Sequence, residues 1–127
     1  MPENDIAKRI VDVACKIHTT LGPGLLESVY ETVLAYELAG RGFNLSRRAA
    51  IFVVHDQLSF DEGFRADLVV EGKVRVESKS VGKVAPVHKK QLLTYLRLAD
   101  KRLGLLINFG EALIKDGITR IVNRLPE

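Results

Sequence analysis

Cysteine is almost absent from this chain: Cys15 is the only one in 127 residues. An internal disulfide is thereby excluded, and so is any zinc site built from clustered cysteines. Long apolar runs are missing as well, and no stretch approaches the roughly 18 residues that cross a bilayer. The opening Met1-Pro2-Glu3-Asn4-Asp5 has neither the basic start nor the apolar run of a secretory leader. With the lone thiol, these absences give the expectation of a reduced, cytoplasmic protein without membrane attachment. There is no internal repeat, no low-complexity segment and no linker. Charge of one sign is in short supply too, since 19 Lys and Arg against 16 Asp and Glu leave a net charge of +3. That is a mild pull toward polyanions, and many ordinary enzymes share it.

What is present is the composition of a globular protein, with 46% hydrophobic and 28% charged residues. A chain of this length reads as one domain over residues 1–127 and buries roughly two-thirds of its unfolded surface. Asn4 or Asp5 is placed to cap a helix running to about Thr20, on which Ile6, Ile10, Val13 and Ile17 recur at helical spacing. Cys15 is expected on the apolar face of that helix as a small buried hydrophobe. Leu21-Gly22-Pro23-Gly24 breaks the helix. A second helix follows to about Arg41, with Leu26, Val29, Val33 and Tyr36 as its expected stripe, and Gly40 and Gly42 end it.

The pattern then changes to strands. Ala49–Val54 is rich in Ile, Phe and Val, and the stretch Asp56–Gly63 is polar. Phe64–Val70 and Val74–Val81 read as two strands around Glu71-Gly72. Pro86 stands where helices start, and helical periodicity runs from Val87 to about Lys101. Leu103–Phe109 is nearly all apolar, as a buried central strand would be. Asp116-Gly117 predicts a hairpin between Leu113–Lys115 and Ile118–Val122. The order is α-α-β-β-β-α-β-β-β, which implies an α/β fold with a mixed central sheet flanked by helices.

The chemistry concentrates in the two strands from Phe64 to Lys79. Side chains alternate faces along a strand. Ala66, Leu68 and Val70 therefore share one face and Arg65 and Asp67 the other; Val74 and Val76 share one face and Arg75, Glu77 and Lys79 the other. A strict two-residue turn at Glu71-Gly72 would set Asp67 opposite Val76. A three-residue loop, or a bulge, sets Leu68 opposite Val76 and Asp67 opposite Glu77. Only that register gathers the apolar residues on one side, so an irregular turn is predicted, with Asp67, Glu77 and Lys79 together. Opposed carboxylates repel unless a cation lies between them. Oxygen ligands of this kind suit Mg²⁺ or Mn²⁺, and a neighbouring ammonium, Lys79, could orient or deprotonate an attacking water. The plain alternative is a solvated, salt-bridged strand face with Arg65 and Arg75 as partners.

Asp67 followed by Glu77-Ser78-Lys79 resembles the Asp…Glu-x-Lys signature of the PD-(D/E)XK nucleases. Gly24-Leu25-Leu26-Glu27-Ser28-Val29-Tyr30 matches the pattern that names the GxxExxY family, a branch of that superfamily, and the stretch from His18 to Glu31 around it is similar. Gln91-Leu92-Leu93-Thr94-Tyr95 looks like the Gln-x-x-x-Tyr motif of RecB-like and Cas4-like exonucleases. Gly104–Gly110 and the closing Lys115-Asp116-Gly117 resemble the family's C-terminal end, so the resemblance spans almost the whole chain. Two positions depart from the pattern. Ala66 stands where the superfamily's name has proline, and Ser78 stands where an apolar residue is usual.

The resemblance implies a restriction-endonuclease-like core with Mg or Mn held by Asp67, Glu77 and the Ser78 carbonyl. It implies that Lys79 activates water, and that Glu27 completes the metal site or positions a water. His18 is a further candidate ligand, and Gln91 and Tyr95 would hold the substrate phosphate or the lysine. His88 shares their helical face. Read without the resemblance, Glu27 is a solvated helix residue, Tyr30 packs at the core edge, His18 is a helix-end cap, and Gln91 and Tyr95 belong to a polar stripe. Lys83, Lys89, Lys90, Arg97 and Arg47-Arg48 could contact a phosphate backbone or lie in solvent. The functional expectation is a metal-dependent nuclease acting on nucleic acid, DNA ahead of RNA. Its rivals are an idle module that binds nucleic acid or a protein partner, and a hydrolase of a small phosphorylated molecule. A homodimer would supply two sites for two strands and stands as an analogy only.

Overall fold

Ile6, Ile10, Val13 and Ile17 are all buried along one face of helix α1 (Glu3–Leu21) in the computed structural model, which describes residues 1–50, 52–60 and 65–126. The helix starts before the expected caps, with Pro2 in the N-cap position and no side-chain cap. Cys15 flanks the buried stripe and is a half-buried free thiol, rather than the core residue its spacing suggested. Helix α2 (Glu27–Gly40) corrects the sequence reading more sharply. It buries Tyr30, Glu31, Leu34, Ala35 and Leu38. Leu26 and Tyr36, two residues of the expected stripe, are 74% and 77% exposed. Two apolar stripes at helical spacing compete on this helix; the one that wins carries Tyr30 and Leu34 onto the sheet.

Among the described residues, seven strands follow α2 in two sheets. Strand β1 (Leu45–Ala50) leads into a small hairpin of β2 (Val53–His55) and β3 (Leu58–Phe60). The turn between them is Asp56-Gln57, with Asp56 at φ 52, a conformation Asp tolerates through its short polar side chain. The expected strand Ala49–Val54 is thus divided between β1 and β2, with residue 51 outside the described range. The polar stretch Asp56–Gly63 contains a strand that its composition hid. Strand β4 (Arg65–Val70) and strand β5 (Val74–Lys79) form the expected pair, and residue 64 lies outside the described range. Helix α3 (Pro86–Leu98) crosses over to β6 (Leu103–Asn108), and β7 (Ile118–Val122) closes the chain.

The main sheet has the order β1-β4-β5-β6-β7, and β5–β6 is its one parallel pair. A parallel pair needs a long crossover, and α3 supplies it. Among the described residues, five strands precede α3 and two follow it, against an expected three and three. The predicted hairpin at Asp116-Gly117 is replaced by a short 3₁₀ turn (Ile114–Gly117) that runs straight into β7, and no strand occupies Leu113–Lys115. The glycine serves close approach instead of a tight hairpin: a Cβ at Gly117 would stand 2.3 Å from the Asn108 carbonyl oxygen.

Helices α1 and α2 cover one face of the sheet, where Leu68, Val70, Val74, Val76, Leu105 and Ile107 join the helical core. Helix α3 covers the other face through Leu92 and Leu96 packed on Leu106. Strand β5 is therefore buried on both sides from Val74 to Ser78 and emerges only at Lys79.

Gly110 sits where β6 leaves the sheet, and a Cβ there would stand 2.3 Å from the Val81 carbonyl oxygen and 2.7 Å from its nitrogen. Both are backbone atoms that cannot step aside. Gly110→Ala should cost about 3 kcal/mol in urea unfolding. Gly40→Ala, where an added Cβ meets nothing within 4 Å, should leave stability unchanged or slightly raised.

Candidate active site

The connection between β4 and β5 decides what meets what. Val70 pairs with Val74, so Glu71, Gly72 and Lys73 form a three-residue loop, and Leu68 stands opposite Val76. Glu71 and Gly72 adopt φ 55 and φ 64, and the Lys73 amide donates to the Val70 carbonyl at 3.0 Å. This is the irregular turn and the register that the hydrophobic pattern requires. It carries Asp67 to the Glu77-Ser78 peptide, where the Ser78 amide donates to Asp67 Oδ2 at 3.0 Å.

Glu77 lies against Asp67 in a nearly dry position. It is 9% exposed, and its Oε1 has no hydrogen-bond partner among the described residues. Burial, reinforced by the neighbouring Asp67 carboxylate, pushes the Glu77 carboxyl up to about 8, while Lys79 pulls it the other way. Arg75, two residues back on the same face, is buried as well, and its Nε and Nη1 lack hydrogen-bond partners among the described residues. Burial pulls its guanidinium down from its usual range, against the charge of Glu77. The solvated, salt-bridged strand face is thus not what forms around Arg75 and Glu77, since both are buried. The Ser78 hydroxyl is buried, and its Oγ has no hydrogen-bond partner among the described residues.

Lys79 stands at the open end of β5, with Nζ 4.0 Å from Glu27 Oε1. Glu27 is the first residue of α2, and the turn before it explains the motif that contains it. Gly22 (φ 71) and Gly24 (φ 105) take backbone conformations that favour glycine. The Tyr30 hydroxyl donates to the Gly22 carbonyl and accepts from the Leu25 amide. Its ring stacks on Phe109 at a centroid distance of 4.5 Å. Ser80 Oγ donates to the Leu25 carbonyl at 2.6 Å, tying the same turn to the end of β5. Tyr30 is therefore a fully buried clasp for the turn that aims Glu27 at Lys79. Partial burial raises the Glu27 carboxyl, Lys79 and His88 lower it, and Asp67 and Glu31 raise it further.

Helix α3 supplies the opposite wall. Glu77, Lys79, His88, Gln91, Leu92, Tyr95 and Leu106 line a cavity of about 70 Å³. His88 Nδ1 is buried there with no hydrogen-bond partner among the described residues. The Tyr95 phenol is raised by burial and then by the charges of Glu77 and Asp67, which puts both carboxylates within its electrostatic reach. His18 lies at the end of α1 with Nε2 2.8 Å from the Glu111 carbonyl oxygen. The histidine whose charge acts on Glu27 is His88.

Asn108 escaped the sequence reading. It is fully buried opposite Lys79 in the β5–β6 register. Its Oδ1 accepts from the Val81 and Gly110 amides, and its Nδ2 donates to the Val81 carbonyl. It fixes the segment after Lys79 to the end of β6. The available signal was a lone amide in the apolar run Leu103–Phe109.

Among the described residues, no three His, Cys, Asp or Glu side chains converge tightly enough to hold a metal by themselves. The donor set still fits a hard divalent cation. Two carboxylates and a backbone carbonyl are what Mg²⁺ takes when water and phosphate complete its shell. A buried carboxylate oxygen without a partner, beside a second carboxylate, is the electrostatic defect that such a cation relieves.

The chain belongs to the PD-(D/E)XK nuclease superfamily, whose family model matches residues 4–121. The five-stranded mixed sheet between helices is consistent with the restriction-endonuclease-like core of that superfamily. Comparison with curated proteins and with solved structures gave no match. Among the described residues, no helix is long and apolar enough to cross a membrane.

The raised Glu77 carboxyl makes stability depend on pH. Between about 4.5, its ordinary value, and about 8, the folded protein holds a proton that the unfolded chain has released. Stability must then fall as pH rises through that window, on the order of a few kcal/mol for this one group. In chelator, the Tm should drop between about pH 5 and about pH 8, and Glu77→Gln should flatten the decline. A wild-type curve equally flat in calorimetry would show that Glu77 ionises normally.

Proposed function

We propose that the protein is a Mg²⁺- or Mn²⁺-dependent nuclease of the GxxExxY branch, hydrolysing phosphodiester bonds of DNA ahead of RNA. The observation that carries this reading is the meeting, at the open end of β5, of a buried carboxylate (Glu77) whose Oε1 has no hydrogen-bond partner among the described residues, a second carboxylate beside it (Asp67) and an ammonium (Lys79). Asp67, Glu77 and the Ser78 carbonyl would hold the cation. When bound, the cation supplies charge stabilisation for the phosphate and makes the carboxylate pair tolerable.

The chain's own residues do the rest. Lys79, at the wet rim of a dry strand, orients the attacking water in line with the scissile phosphate. Glu27 restrains the lysine and takes a hydrogen bond from that water. Gln91, Tyr95 and His88 close the α3 side and bind phosphate oxygens or the lysine. His18 serves as a clasp between α1 and the loop after β6, with one ring nitrogen given to Glu111; this departs from the ligand role that the family resemblance suggests.

The direct test is cleavage of labelled single- and double-stranded DNA and RNA in Mg²⁺, Mn²⁺ or EDTA. Lys79→Ala and Asp67→Asn should each lower the rate by about 10²-fold or more while retaining the wild-type circular dichroism spectrum. Cutting that survives both substitutions, or persists in EDTA, would sink the proposal. Turnover of a nucleotide but of no polymer would point to a small-molecule hydrolase.

Cation binding has its own signature. At pH 7 the ion must displace the Glu77 proton, so Mn²⁺ binding should release about one proton. Calorimetric titrations in two buffers of different ionisation enthalpy measure it. Glu77→Gln should remove the buffer dependence and weaken the binding.

A further inference from the structure

Strand β1 carries one backbone irregularity, and it faces Asp67. Five described non-glycine residues have positive φ; Asp56, Glu71, Asp100 and Arg124 lie outside strands, and Arg48 (φ 52) alone lies within one. The β1–β4 ladder runs Leu45–Val70, Ser46–Val69 and Arg47–Leu68, then resumes at Ala49–Ala66 and Ala50–Arg65. The register is unbroken across the gap, so no residue is inserted. Only the rung between Arg48 and Asp67 is missing. A left-handed residue inside a strand strains the backbone and persists only where its surroundings impose it, most often at functional sites.

The side chain is equally unusual in its setting. Arg48 lines a cleft of about 510 Å³ with Leu26, Glu27, Ser28, Glu31 and Asp67. Its neighbour Arg47 is committed: Nη2 donates to Thr32 Oγ1 at 3.1 Å and lies 3.5 Å from the buried Glu31 Oε1. The ion pairs among the described residues are Arg41–Glu37, Arg47–Glu31, His55–Asp56 and Lys79–Glu27, and Arg48 takes part in none. A cation present only to neutralise Asp67 or Glu27 would be paired with one of them. A planar guanidinium without an ion-pair partner among the described residues, beside a phosphodiester-cutting centre, fits a phosphate oxygen pair, which it grips through two parallel N–H donors.

We propose that Arg48 binds a backbone phosphate of the nucleic-acid substrate on the β1 side of Asp67, and that the left-handed turn of β1 is what delivers its guanidinium to the cleft. This rests on the nuclease reading and adds to it a phosphate-binding residue on the side away from α3. The strand then runs between Arg48 on one flank and the α3 wall on the other.

Arg48→Gly separates the side chain from the strain, because glycine accepts a positive φ. The probe is a short labelled DNA duplex and its single strand, with Ca²⁺ replacing Mg²⁺ to hold back turnover. Arg48→Gly should weaken binding about tenfold and lower the slope of log K against log salt by about one, with a Tm equal to or above wild type. Arg48→Lys should keep the slope and lose part of the affinity. Unchanged affinity and slope in Arg48→Gly, while Lys79→Ala abolishes cutting, would overturn the assignment and leave the nuclease reading intact. A lower Tm would make Arg48 a structural brace and also overturn it. If the wild type neither binds nor cuts either probe, the nuclease reading fails and the assignment with it.

Discussion

Strand β5 is covered by helices on both faces and yet carries Arg75, Glu77 and Lys79 along one of them. A strand in that position is ordinarily apolar on both sides. The fold holds a carboxylate where water scarcely reaches, and a second carboxylate is hydrogen-bonded to the next peptide. Burial favours the neutral acid, and Asp67 strengthens that preference. The same strand is partly exposed at its last residue, so acid and amine sit two residues apart with different access to water.

Around this strand, conserving geometry is the work of side chains that never face the cleft. Among the described residues, Asn108 hydrogen-bonds only to main chain, and so do Ser80 and Tyr30. Each satisfies backbone groups in a connection that would otherwise be left without partners near the core. Together they fix the exits of β5 and β6 and the entry of α2. Glu27 reaches Lys79 because three separate polar clasps hold the chain segments that carry the two side chains.

The central hairpin was legible because two demands coincided: one face had to be apolar, and a single register met that demand. The first helix was legible for the same reason, since only one stripe of Ile and Val competes for its buried side. Helix α2 was not, because Leu26, Val29, Val33 and Tyr36 make a stripe about as apolar as the one that Tyr30, Leu34 and Leu38 make. Packing of Tyr30 on Phe109, a contact remote in sequence, decided between them. The C-terminal glycine was misread because Asp-Gly favours a hairpin locally, while the requirement at Gly117 is room for the Asn108 carbonyl. The carboxylates and the lysine could be named from their alternation, whereas the deep burial of Glu77 and Arg75 could not, since charged residues predict exposure. The left-handed backbone at Arg48 has no counterpart in its residue type.

The walls of the cleft are not equally anchored. Helices α1 and α2 share an extensive apolar core with the sheet, but α3 rests on Leu92, Leu96 and Leu106 with Val84 and Ile121 at the margin. Local opening is easiest where buried apolar contact is least. His88, Gln91 and Tyr95 therefore ride on a helix held by a smaller apolar contact than the core that backs β4, β5 and α2. Amide hydrogens of α3 should exchange ahead of those in β5 and β6, so the α3 wall of the narrow space above Glu77 is the less firmly held of the two.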